Sequence, residues 1–133
     1  MDTASQSLAE IVQRLEKSSE FRPLIEQLSS QRIVLVGETI QGVAEFHRWR
    51  RWITSGCMVE HGFNLLATDW HSEDAQRADQ YIQGEIEDHD AWRLLHHLYR
   101  WPSWQWANSE VAQLLVELRA FNSTRFPLDR VHI

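Results

Sequence analysis

The sequence predicts an α/β architecture: a partial parallel sheet of two to three strands with flanking helices. Three observations carry that prediction. Residues 33–36, IVLV, are a continuous apolar and β-branched run ended by Gly37, the pattern of a strand buried on both faces. Residues 63–68, FNLLAT, are a second such run, ended by Asp69. Between them Phe46, Trp49, Ile53 and Cys57 recur at three- and four-residue steps, so residues 43–60 read as a helix. Strand, helix and strand in this order form a βαβ unit, whose crossover is expected to be right-handed.

The remaining elements follow from local signals. Leu8, Ile11, Val12 and Leu15 share one helical face and predict a helix over 5–17. Pro23 suits the first turn of a short second helix carrying Leu24, Ile25 and Leu28. His61-Gly62 ends the crossover helix, because glycine accepts the left-handed conformation of a C-cap. Helices are expected at 72–83, 89–99 and 109–122. The last places Val111, Leu114, Leu115 and Leu118 on one face, with Asn108 or Ser109 as N-cap. Residues 131–133, VHI, read as the start of a third strand. The chain thus divides into N-terminal helices (1–30), a βαβ unit (31–69) and a helical segment leading to the third strand (70–133), all in one domain.

Composition narrows the function classes. With 133 residues, 43% of them hydrophobic, the chain suits a single globular domain that needs no disulfide. Its one cysteine, Cys57, cannot bridge internally, and MDTASQSLAEIVQRL has neither the basic start nor the apolar run of a signal peptide. A reduced cytoplasmic protein is the expectation. A net charge of −6 argues against nucleic acid and against an anionic membrane as partners. The seven tryptophans lie between Trp49 and Trp106, which marks that region for a large apolar surface or pocket.

In open α/β sheets ligands bind beyond the carboxyl ends of the strands. Glu38 follows the first strand and Asp69 the second, so adjacent strands would bring both carboxylates to one edge. Such a pair shares a proton, orients a water or grips a cation; acids after strands also serve as N-caps or solvated turn residues. Arg50, on the crossover helix, is placed either to fork onto a carboxylate or oxyanion or to face solvent.

These residues carry a family resemblance. GETIQGVAEFHRWR (37–50) resembles the GEATHGTxEFxxxR signature of the erythromycin esterase family, and EHGFNLLATDW (60–70) resembles its next segment. DAQRADQYIQG, YRWPSWQWAN and LRAFN follow as further family blocks in the same order, so the resemblance runs from Phe21 to the last residue. It implies the N-terminal part of an erythromycin-esterase-like α/β fold, and a family activity of cofactor-free, metal-independent hydrolysis of carboxylic and lactone esters such as macrolides. It further implies catalytic positions at Glu38, Arg50 and Asp69, with a histidine as general base on water.

The departures from the signature limit that implication. Gln41 stands at the position of the family's base, and an amide cannot take a proton from water near neutral pH. Asp69 replaces a glutamate and is one methylene shorter. The chain also ends where the third strand begins, so the family's C-terminal elements are expected to be missing. The resulting expectation is a truncated family member with weak or no hydrolase activity. The alternative is a noncatalytic module that dimerises through its incomplete sheet.

Other constellations each have a plainer role beside the functional one. His71, two residues after Asp69, is a substrate-binding candidate and a potential replacement base, or else an exposed loop histidine. Trp104, within WPSWQW, is the candidate for an aromatic pocket wall, or else core. HRWRRW (47–52) alternates basic and aromatic residues as nucleic-acid binders do, but helical spacing turns its tryptophans toward Phe46 and Ile53, with the arginines at the margin. Adjacent His96 and His97 diverge on a helix, so no metal site is expected there. Cys57 reads as core packing.

Overall fold

The computed structural model describes residues 15–37, 40, 42–86, 90–97 and 105–133. After a 3₁₀ turn at Ser18–Phe21 come α1 (Arg22–Leu28), α2 (Ala44–Ser55), α3 (Ser72–Gln83), α4 (Ala91–His96) and α5 (Ser109–Ser123). A 3₁₀ turn at Pro127–Asp129 precedes the last residues. Among the described residues no helix is long and apolar enough to cross a membrane.

The helices stop and start where their side chains dictate. Pro23 lies in the first turn of α1. Asp90 accepts the Trp92 N–H at 2.9 Å to cap α4, and Asn108 accepts the Glu110 and Val111 N–H groups at 3.1 and 3.0 Å to cap α5. Gly84 closes α3 with φ 78°, a conformation that only glycine adopts at little cost. Of the helix expected over 5–17, residues 5–14 lie outside the described ones and residues 15–17 are not helical.

Helix α2 continues into a π-helical turn at Gly56–Glu60. A β-carbon at Gly56 would lie 2.6 Å from Ile25 Cδ1, so the absent side chain lets α1 approach this turn. Phe21, Ile25 and Cys57 form a small core there, with Trp49 and Trp52 packed on it. Phe21 meets both indoles, at ring separations of 6.1 and 5.5 Å. The larger core joins Met58 with Tyr81 and Ile82 of α3, Leu94 and Leu95 of α4, and Leu114, Leu115 and Leu118 of α5.

The expected partial parallel sheet is not formed: the described residues make a helical fold with one isolated parallel bridge, Leu65 to His132. Two hydrogen bonds define it, Leu66 N–H to the His132 carbonyl and His132 N–H to the Asn64 carbonyl, both 2.9 Å. Two physical causes keep it from growing. On the outer edge of 131–133, helix side chains occupy the positions a further strand would use. Asn122 accepts the Val131 N–H at 2.9 Å, and Asp79 accepts the Ile133 N–H at 3.0 Å. On the other side residues 33–37 carry no regular secondary structure and make no ladder bonds among the described residues. Ile33 and Leu35 are 77% and 91% exposed, so this run is not buried on both faces as its composition suggested. Burial against a partner holds a strand, and composition alone supplies none.

Candidate active site

An apolar cavity of about 380 Å³ lies between α2, segments 34–37 and 63–70, and α5. Its size is at the lower end of small-molecule pockets. Val34, Ile53, Met58, Phe63, Leu66 and Leu115 supply much of its apolar wall. Alternation along the first run explains part of this: Val34 and Val36 line the cavity while Ile33 and Leu35 face out.

Of the residues singled out by sequence, Arg50 and Asp69 line this cavity together. Helix α2 brings in Arg50, and the bend after residue 68 brings in Asp69. The Arg50 guanidinium lies 5.6 Å over the Trp106 ring, and Trp106 in turn packs against Trp70 at 5.8 Å. Arginine, Trp106 and Trp70 therefore form one layered wall. Glu38, Gln41 and Trp104 lie outside the described residues, although Gly37, next to Glu38, lines the cavity, as does Trp106 of the WPSWQW block. His71 is exposed at the N-cap of α3, where its carbonyl accepts the Asp74 and Ala75 N–H groups at 2.9 Å; it is not among the cavity-lining residues.

Several residues at the site went unread in the sequence. His47, from HRWRRW, is buried and lines the cavity. Glu110 is buried in the first turn of α5 and takes charge-assisted bonds from Arg48 Nε at 3.1 Å and Arg51 Nε at 2.9 Å. Arg51 also bonds Glu117, so Arg48 and Arg51 of HRWRRW clamp α2 to α5. The signal was available in the pairing of a basic helix with acids two turns apart on a later one. Thr68 and Trp70, flanking Asp69, both line the cavity, and the Thr68 hydroxyl and Trp70 indole nitrogen are buried without a hydrogen-bond partner among the described residues.

Cys57 is buried on the same side, and burial alone pushes its thiol up from the ordinary 9.0. That is the opposite of nucleophile activation and agrees with packing as its role. Among the described residues no three His, Cys, Asp or Glu side chains gather as a metal site would require.

The structure is that of a helical domain with an apolar cavity edged by an arginine, an acid and buried polar groups. By sequence, a family model described as erythromycin esterase matches residues 58–133, more than half of the chain, and the chain belongs to that family. The match takes in EHGFNLLATDW from its second block onward and all later blocks; Glu38, Gln41 and Arg50 precede it. No solved structure matches the chain.

Proposed function

We propose that this chain is an ester-binding domain of the erythromycin esterase family with little or no hydrolytic turnover. The observation that carries the reading is the convergence of Arg50 and Asp69, 19 residues apart in sequence, on one apolar cavity. An apolar chamber with a few polar groups suits a neutral carboxylic ester or lactone. An arginine at its wall favours charge developing on a carbonyl oxygen, and an acid beside it orients a water. The absent element is the proton acceptor: Gln41 occupies the signature's histidine position, and an amide cannot take a proton from water near neutral pH. The test is hydrolysis of p-nitrophenyl acetate by the wild type and by Gln41→His. The reading expects slow turnover that rises in the variant; no hydrolysis by either protein, both shown to be folded, overturns its enzymatic ancestry as an explanation of the cavity.

A second reading has its own support. Ile33 and Leu35, and Leu65 at 65% exposure, leave apolar side chains uncovered. Exposed apolar surface of this kind favours association with another chain, which is the noncatalytic, dimerising module. Light scattering at micromolar concentration decides it: a dimer supports the module, and a monomer that binds no apolar dye rejects it.

A further inference from the structure

We propose that Trp106 is a positioning residue for Arg50: its indole holds the guanidinium at the cavity wall, where it meets charge on a ligand oxygen. The proposal rests on the ester-binding reading for what Arg50 does. It gives the last tryptophan of WPSWQW a task that neither the signature nor the positions of the acids point to.

The arginines of HRWRRW meet two kinds of partner. Arg48 and Arg51 donate to the Glu110 carboxylate at 3.1 and 2.9 Å. The Arg50 guanidinium lies over the Trp106 ring, 5.6 Å from its centre, within the range of a cation–π contact. The two partners act differently on the cation. A carboxylate neutralises a guanidinium, whereas the negative face of an indole attracts it and leaves its charge in place. An arginine that serves charge on a ligand is therefore better steadied by a ring than by an acid. Arg50 and Trp106 both line the cavity, so the contact is made at the site itself. A loose arginine samples many rotamers, and ordering it before the ligand arrives removes that entropy loss from binding.

Both partners are fixed from outside the contact. The Asn108 N–H donates to the Trp106 carbonyl at 2.9 Å, its side-chain amide donates to the Gln105 carbonyl at 2.9 Å, and its side-chain oxygen caps α5. The indole also packs against Trp70, the residue after Asp69, at 5.8 Å. On the other side, Glu110 lies four residues beyond Trp106, so the bonds from Arg48 and Arg51 hold α2 against the segment that carries the indole. The clamp between the helices thus sets Arg50 over its ring.

The test uses the full 133-residue chain and two probes, benzoate and toluene. Benzoate carries a charged oxygen in place of the one that develops on an ester carbonyl. Toluene lacks it and reports what a substitution does to the cavity itself. Affinities are measured for the wild type, Arg50→Met, Trp106→Leu and the double variant, each shown to be folded by circular dichroism. Arg50→Met should weaken benzoate and spare toluene. Trp106→Leu should weaken benzoate about 3- to 30-fold beyond its effect on toluene, the range of a cation–π contact. Trp106→Phe, which keeps a weaker ring face, should lose less, and it carries the same cycle if the leucine variant does not fold. In the Arg50→Met background the extra loss should vanish, because a residue that acts through Arg50 has nothing left to act on. The Arg50 Nε–H resonance, assigned by its loss in Arg50→Lys, should move when the indole ring current is removed. An unmoved resonance, equal losses for both probes, or an extra loss that persists without Arg50 overturns the assignment and leaves the ester reading standing. No benzoate binding, or binding indifferent to Arg50, removes the Arg50 role on which that reading stands, and the assignment falls with it.

Discussion

Replacing Asn122 by alanine tests how the end of the chain is held beside the cavity. Asn122 is 1% exposed and makes three hydrogen bonds. Its amide nitrogen donates to the Ile82 carbonyl at 3.2 Å and the Val131 carbonyl at 2.9 Å, and its oxygen accepts the Val131 N–H at 2.9 Å. Truncation leaves the Val131 carbonyl with Gln83, which donates to it at 2.8 Å. The Val131 N–H and the Ile82 carbonyl lose their partners in a buried place. Each stranded group costs about 1–3 kcal/mol, and partial entry of water trims the sum, so about 3 kcal/mol is expected. Urea unfolding followed by tryptophan fluorescence reads this directly. With a slope of about 2 kcal/mol per molar, the midpoint should fall by about 1.5 M. Asn122→Asp is the sharper variant, because it keeps the acceptor, loses both donations and buries a charge; it should be no better than alanine. A fall under about 0.3 M for Asn122→Ala, or wild-type stability for Asn122→Asp, refutes the reasoning.

Two other predictions follow from charge and burial. Removing Glu110 leaves Arg48 and Arg51 short of the carboxylate that both engage; Glu110→Ala should cost about 1–3 kcal/mol by urea melting, with Glu110→Gln, which still accepts, losing less. A loss that grows in 1 M salt would contradict an electrostatic origin. The Cys57 thiol, pushed up by burial, should resist Ellman's reagent at pH 8 in the folded chain and react at once in urea. The folded chain keeps this proton at pH values where the unfolded chain has lost it. Its contribution to stability is therefore complete below about pH 9 and is lost as pH rises through the folded value.

The helices were legible because their signals are local. Residues 72–83 are helical as the pattern predicts, with Gly84 left-handed behind them, and α5 runs one residue past its expected end behind the Asn108 cap. Strands are not local objects. IVLV and FNLLAT state a preference for extended backbone, but pairing depends on which chain lies alongside, and residues 64–66 pair with 132 rather than with 33–37. Nor does the sequence reveal that Asn122 and Asp79 seal the outer edge of 131–133, since those contacts join residues 9 and 54 apart. The site divides in the same way. Arg50 and Asp69 could be found from their positions after and between the two apolar runs, and both reach the cavity even though no sheet connects them. Thr68, Trp70 and His47 were missed because burial of their polar atoms or side chains is a product of packing, which no spacing rule records.

The central claim is that this cavity is an ester site short of its base. Its most direct test is the hydrolysis rate of p-nitrophenyl acetate in Gln41→His, alone and combined with Arg50→Ala or Asp69→Asn, with folding confirmed by circular dichroism. The account predicts a gain of about 10² to 10⁴ over wild type for the single change, and a return of at least about tenfold on adding either second change. A folded Gln41→His protein no faster than wild type, or a gain indifferent to Arg50 and Asp69, would contradict it.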